Sequence, residues 1–282
     1  MSISFTKMHG LGNDFIVIDA IRQNISLTSE QIQFMANRHF GIGCDQLLLV
    51  EPSSAEGVDF RYRIYNADGG EVGQCGNGAR CFAQFVREKG LSDKDIITVE
   101  TLGGILQLEH EADGLIKVDM GAPRLNPGDI PFLPAKEGTE QQAERYTLRL
   151  ENNNEVEIGA VSMGNPHAVI QVAQIDTAPV EDLGSAIEQH SQFPEGVNVG
   201  FMQILNPSHI RLRVHERGAG ETLACGSGAC AAVVIGCVQQ VLDSNVKVDL
   251  PGGQLVVSWN GNDEHVFLTG PATTVFEGTI KL

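Results

Sequence analysis

Positive charge is scarce in this chain of 282 residues: 19 Lys and Arg stand against 36 Asp and Glu, a formal net charge of −17. A surface of that sign repels phosphate backbones, so nucleic acid and anionic membranes are excluded as expected partners. Long apolar runs are also missing. The longest, around Ala229–Val238, is far short of the ~18–20 residues that a bilayer span needs. The first ten residues, MSISFTKMHG, lack a basic segment leading into an apolar one, so no secretory signal is expected. A soluble, cytoplasmic protein is the resulting expectation. No Cys-x-x-Cys pair occurs, and no histidines cluster near the cysteines at zinc spacing, so no metal is expected. The GxGxxG and GxxxxGK[ST] spacings are absent too, which weakens a nucleotide-binding reading of the glycine-rich loops.

What is present is enough apolar residue, 42%, to build real cores, in a chain comfortable for two domains. The most informative feature is an internal repeat. Phe60–Cys81 reads FRYRIYNADGGEVGQCGNGARC and Ile210–Ala231 reads IRLRVHERGAGETLACGSGACA. Offset by 150 without a gap, they agree at Arg61/Arg211, Arg63/Arg213, Gly70/Gly220, Glu71/Glu221, Cys75/Cys225, Gly76/Gly226, Gly78/Gly228 and Ala79/Ala229. A second block, offset by 152, sets Gly12-Asn13 against Gly164-Asn165, and Gln46 against Asn198. Matching blocks in one order, at so long a period, mark a domain duplication and not a solenoid.

Alternating and β-branched runs predict strands at Phe15–Asp19, Leu47–Glu51, Tyr62–Tyr65, Ile96–Glu100, Ile105–Glu109 and Leu115–Asp119. The second half repeats the style at Glu155–Val161, Ala168–Val172, Val197–Gln203, Ile210–Val214, Val246–Leu250, Leu255–Trp259 and His265–Thr269. Helices are few. Thr28-Ser-Glu-Gln31 reads as a capping box opening a helix to about Arg38, and a second helix is expected over Pro179–His190. Two more follow the cysteine loops, over Gly78–Lys89 and Gly228–Val241. The latter is apolar almost all round, as expected at a domain centre. Each half thus reads as strands wrapped around one central helix, an α+β fold of two duplicated domains. Gly121–Gln142, rich in Pro, Gly and charge, is the expected connection; periodicity does not assign the final strand, Val275–Leu282.

A cysteine just ahead of a helix faces unpaired N–H groups and the positive end of the macrodipole, which favours thiolate. The following glycines would let an anion such as a carboxylate approach those N–H groups. Two such loops related by pseudo-twofold symmetry would set two thiols on either side of one carboxylate-bearing carbon. One sulfur would remove the α-proton and the other deliver a proton to the opposite face. A single Cys-Gly-x-Gly loop is weak evidence; two symmetric copies are not. Cys81, Cys230 and Cys237 are expected as small buried hydrophobes, and Cys44 as an unreactive loop residue. His167 fits a structural or a functional role. Glu216-Arg217 has Asn66-Ala67 as its copy in the first half, so the two halves are chemically unequal. Asn13, Gln46, Asn66, Asn165 and Asn198 form a set of amides at loop or strand ends; singly, each fits ordinary turn chemistry.

These blocks closely resemble the diaminopimelate epimerase family: HGLGNDFIVID at His9–Asp19, GCDQLL at Gly43–Leu48, YNADGGEVGQCGNGARC at Tyr65–Cys81, MGNPHAV at Met163–Val169, EGVNVGF at Glu195–Phe201 and ERGAGETLACGSGACA at Glu216–Ala231. The resemblance implies interconversion of LL- and meso-diaminopimelate, serving lysine and peptidoglycan precursor synthesis, with no cofactor. It implies Cys75 and Cys225 as the acid/base pair, with the reacting carboxylate on the amides of Gly76-Asn77 and Gly226-Ser227. Asn13, Gln46, Asn66, Asn165, Asn198, Glu216 and Arg217 would hold the substrate, and His167 and Glu216 would tune the thiols. It further implies β-barrel-like domains at 1–125 plus 271–282 and at 126–270, an active site in the cleft between them, and a homodimer. Gly70 and Ser227 depart from the family's frequent Ser and Thr; both are small. Two rivals remain: a two-cysteine racemase acting on proline, and a thiol redox switch.

Overall fold

The computed structural model describes residues 2–73, 75–134, 143–151 and 153–282. Two compact units divide the chain, Met1–Asp119 with Thr269–Leu282, and Met120–Leu268. The divides fall a few residues ahead of those suggested by the sequence. The reason lies in the expected connector. Arg124 bridges to Ser162, and Ile130 and Phe132 are buried in the second unit's core. Residues 121–134 therefore belong to that core; 135–142, the rest of the expected connector, lie outside the described residues.

The first unit is a mixed sheet. Strand β1 (Ser2–Gly10) pairs antiparallel with β2 (Asn13–Asp19), which runs parallel to β3 (Gln46–Pro52), and β3 is antiparallel to β4 (Phe60–Asn66). A short β5 (Glu71–Val72) returns on β4, which also runs parallel to β6 (Ile96–Thr101); β7 (Gly104–His110) and β8 (Ile116–Asp119) follow as an antiparallel meander. Helix α1 (Ser29–Ala36) opens with the expected capping box. Thr28 Oγ1 accepts the Gln31 N–H at 3.3 Å and the Gln31 side chain accepts the Thr28 N–H at 3.0 Å. Helix α2 (Gly76–Glu88) packs against β1, β2, β3, β7 and β8.

The second unit repeats this order. Strands β9 (Tyr146–Arg149), β10 (Glu155–Ser162), β11 (Pro166–Gln171), β12 (Asn198–Asn206) and β13 (His209–Glu216) pair in sequence, antiparallel except for the parallel β11–β12 step. Helix α3 (Val180–Glu188) takes the place of α1. After β14 (Gly220–Thr222), helix α4 (Gly226–Val238) packs against β10, β11, β12 and β13. Strand β15 (Asn245–Leu250) runs parallel to β13 and antiparallel to β16 (Gly253–Ser258), and β17 (Phe267–Gly270) follows. The duplication extends to register. Phe15 sits opposite Gln46 across β2–β3, as His167 sits opposite Asn198 across β11–β12.

One outer position is filled differently. The last strand, β18 (Thr273–Lys281), pairs with β1 inside the first unit, whereas the equivalent partner of β10 is the nearby β9. Strand β1 escapes pattern reading because its central stretch, Phe5–Met8, is buried on both faces, Thr6 and Lys7 included. Lys7 stays there because its ammonium donates to Asp14 at 2.6 Å and to the Gly43 carbonyl.

Candidate active site

Both cysteine loops are built by one device. A short hairpin, β4–β5 or β13–β14, leads into the loop, and an arginine fork clips it. Arg63 donates to both Glu71 oxygens at 2.9 and 2.8 Å, and Arg213 to both Glu221 oxygens at 2.6 Å. Such bidentate pairs fix geometry as well as adding energy. These four residues were among the eight identities of the repeat, so their signal was visible although their role was not. Next, Cys75 and Cys225 each stand as the N-cap, in extended conformation, of a helix that starts at Gly76 or Gly226. The helices thus begin two residues earlier than predicted, directly behind the sulfurs. Gly12 and Gly164, ahead of the paired asparagines, have φ of 91° and 89°, a conformation that favours glycine. Gly78 has a different cause from the one expected: a Cβ there would meet the Tyr62 hydroxyl at 2.5 Å, so packing and not ligand approach demands it.

In the first unit, Cys75 Sγ donates to Asn13 Oδ1 at 3.7 Å, and Asn77 Nδ2 donates to the same oxygen at 3.3 Å. Gln46 and Asn66, on neighbouring strands, join through Gln46 Nε2 and Asn66 Oδ1 at 2.9 Å. Cys75 is partly exposed, while Gly76 and Asn77 are buried.

In the second unit, four candidates meet. His167 Nε2 lies 3.0 Å from Asn165 Oδ1 and 3.1 Å from Ser227 Oγ, Asn165 Nδ2 donates to Ser227 Oγ at 3.3 Å, and Ser227 Oγ lies 3.7 Å from Cys225 Sγ. Asn198 Oδ1 accepts the Arg217 N–H at 3.0 Å. Glu216 and Arg217 do not pair with each other. The Thr222 hydroxyl donates to Glu216, and Arg217 Nη1 donates to the Glu195 carbonyl at 2.7 Å. A clamp missed by sequence reading shapes the turn that carries them. Glu188 accepts the Gly218 N–H at 2.8 Å and contacts His215 Nε2 at 3.0 Å.

Electrostatics separates the candidates. Burial, and then the Arg217 charge, push the His167 pKa down to about 3, so its ring is neutral and acts as a hydrogen-bonding group. At Cys225 the surroundings oppose the general tendency of a helix start to favour thiolate. Burial first, then the Glu216 charge, hold its thiol well up, although the Ser227 hydroxyl and the Gly228 N–H pull the other way. Its sulfur is a thiol at rest because desolvation outweighs the helix terminus. Of the remaining cysteines, Cys81 and Cys230 are buried, and burial raises the Cys44 pKa to about 12. Cys237 is half-buried and donates to the Asp243 carbonyl. Among the described residues no three His, Cys, Asp or Glu side chains gather to hold a metal ion, and no helix is long and apolar enough to cross a membrane.

The fold is shared with a solved hydroxyproline epimerase from Agrobacterium vitis, at a TM-score of 0.70 and 15% identity, covering 99% of this chain and 92% of the other. At that identity the likeness is one of fold alone. Sequence narrows the class. The diaminopimelate epimerase family model matches residues 5–126 and 159–275. The diaminopimelate epimerases of Thioalkalivibrio sulfidiphilus and Chromobacterium violaceum are 60% and 58% identical, each over 100% of both chains. The chain is an isomerase and belongs to the diaminopimelate epimerase family.

Proposed function

We propose that this enzyme interconverts LL- and meso-diaminopimelate by two-base proton transfer at one α-carbon, with Cys75 and Cys225 as the proton carriers and no cofactor. The observation that carries this reading is the duplicated placement of the two sulfurs. Each is the N-cap of a central helix, so each lies beside helix N–H groups suited to the carboxylate of the substrate.

In one direction, a Cys75 thiolate takes the α-proton. Charge builds on the substrate carboxylate, where the N–H groups of Gly76-Asn77 and Gly226-Ser227 stabilise it. Cys225, held as a thiol by burial and Glu216, then gives its proton to the opposite face. One C–H bond breaks and one forms, and the proton has changed sulfur. The Ser227 hydroxyl and Gly228 N–H then steady the new thiolate on Cys225. The reverse reaction starts from that state. Asn13, Gln46, Asn66, Asn165, Asn198, Glu216 and Arg217 orient the substrate, Arg217 serving its distal carboxylate. Neutral His167 orders Asn165 and Ser227 and tunes Cys225 through them. The reaction serves lysine and peptidoglycan precursor synthesis in the cytoplasm, and the enzyme acts as a homodimer.

The test is epimerisation of LL-diaminopimelate in D₂O without added cofactor. Solvent deuterium should appear at the inverted carbon of the product. Turnover of proline with none of diaminopimelate would overturn the substrate assignment. Activity that survives only in oxidised enzyme would overturn the two-thiol scheme, because a disulfide removes both proton carriers.

A further inference from the structure

In the first unit a chain of side chains runs from a buried cation to a carboxylate and has one possible direction. Arg80, on α2, is 0% exposed, and its Nη2 donates to Asn77 Oδ1 at 2.8 Å. A guanidinium has donors only, so Asn77 must offer it oxygen and turn its own nitrogen the other way. That nitrogen donates to Asn13 Oδ1 at 3.3 Å. At the far end, Asp45 Oδ2 accepts from Asn13 Nδ2 at 3.0 Å. An ionised carboxylate only accepts, so this end imposes the same direction. The Asn13 carbonyl is left facing Cys75, whose thiol donates to it at 3.7 Å.

Both ends are themselves anchored. Arg80 donates also to the carbonyls of Pro271 at 3.1 Å and Gly76 at 3.3 Å. Asp45 accepts from Arg38 Nη2 at 2.7 Å and from the Asp14 N–H at 3.0 Å. The second unit has neither end. Cys230 occupies the position of Arg80 in the repeat, and Val197 that of Asp45. There Asn165 meets Ser227 and His167, side chains that can each donate or accept.

We infer that Arg80 and Asp45 are positioning residues for Cys75, locking the Asn13 amide with its carbonyl toward the sulfur. This rests on the reading of Cys75 as a proton carrier. A carbonyl oxygen accepts an S–H but repels a thiolate, so the lock makes the Cys75 thiolate more basic. A more basic thiolate has a greater driving force for removing the substrate α-proton. Asp45 is the stronger hold, a charge-assisted bond at 3.0 Å against the amide–amide bond from Asn77 at 3.3 Å, so without Asp45 the Asn13 amide can turn its N–H to the sulfur and stabilise the thiolate instead.

The experiment uses Asp45→Val, which installs the residue found in the other half at an exposed site, with Asp45→Glu as the conservative variant. Alkylation of Cys75 by iodoacetamide is followed across pH by peptide mass spectrometry, beside kcat, KM and Tm. Asp45→Val should alkylate Cys75 about three- to tenfold faster at pH 7, the span of one hydrogen bond's net effect, with its pH profile moved to lower pH. Its kcat should fall by more than its KM changes, and Asp45→Glu should restore both toward wild type. A folded Asp45→Val enzyme with the wild-type Cys75 profile would overturn the inference, as would a lowered Tm with unchanged alkylation and kcat. Alkylation needs no substrate, so this result is separate from any failure of the epimerase assignment, which the wild-type assay reports.

Discussion

Helices α2 and α4 occupy the same position in the two units and carry the same Cys-Gly-x-Gly start, yet they are solvated differently. Beyond the hydrogen-bonded Ser227 at its start, α4, GSGACAAVVIGCV, carries no charged side chain and packs closely; a Cβ on Gly159 would meet Ile235 Cγ2 at 2.3 Å, so strand and helix touch directly. α2, GNGARCFAQFVRE, buries a guanidinium at the position where α4 has Cys230. Oxygens of Pro271, Gly76 and Asn77 offset the cost of that burial. One scaffold thus presents two cysteines from interiors of opposite character. The first is polar and directional, and the second is dry and set by the Glu216 charge. In the proposed reaction, where one sulfur gives while the other takes, unequal interiors would let one duplicated loop serve two roles.

The comparison can be broken most severely at the sulfurs. Cys75→Ala and Cys225→Ala should each lower kcat by about 10²–10⁴-fold, the usual worth of one positioned proton carrier. Near-wild-type turnover by either variant would mean that the two halves do not share the chemistry. Next in size is the buried cation. Arg80→Met removes a buried donor shared among several oxygens and should lower the unfolding free energy by about 3 kcal/mol in urea titrations. Cys230→Ala, its counterpart, should cost about 1 kcal/mol. Equal losses would remove the distinction between a polar and a dry interior.

A smaller effect separates the units by pH. Burial works against the Asp14 charge, but hydrogen bonds from Arg38 and Lys7 hold its carboxyl far below the ordinary aspartate value of 3.8. A depressed folded pKa stabilises the protein above the unfolded value and is lost as pH falls through the folded one. Asp14→Asn should therefore lower Tm near pH 7, and the gap to wild type should close as pH falls below 3.8. The counterpart of Asp14 is Pro166, so Pro166→Ala should show no such closing gap. Smallest is the cap of α1. Thr28→Ala should cost about 1 kcal/mol, measured by chemical unfolding. α3 begins at Pro179 without a side-chain cap, so Pro179→Ala breaks no such bond.

Much of this architecture was legible beforehand, and the exceptions share a cause. The expected strands and helices correspond to observed elements because each lies on a run with its own period or cap. Strand β1 was missed because burial on both faces over Phe5–Met8 erases alternation there, and β5 and β14 because they are two and three residues long. At the site, the cysteines, amides, His167 and Glu216-Arg217 stood out as repeat matches or as their conspicuous failures. Arg80 and Asp45 did not, since an arginine in a helix and an aspartate beside a strand read as ordinary surface residues. The raised Cys225 thiol was also out of reach, because a helix start predicts the opposite sign.

By itself the sequence determined the duplication, a helix after each cysteine loop and the α1 cap, since these depend on residue types at short spacing or on one pattern occurring twice. Tertiary structure alone decided that Arg80 is buried, which way the Asn13 amide faces, that Cys225 is dry, and that β18 completes the sheet beside β1 while β9 does so beside β10. Those outcomes depend on groups distant in the chain sharing one desolvated space, where hydrogen-bond direction and the loss of water, not local pattern, set the energy.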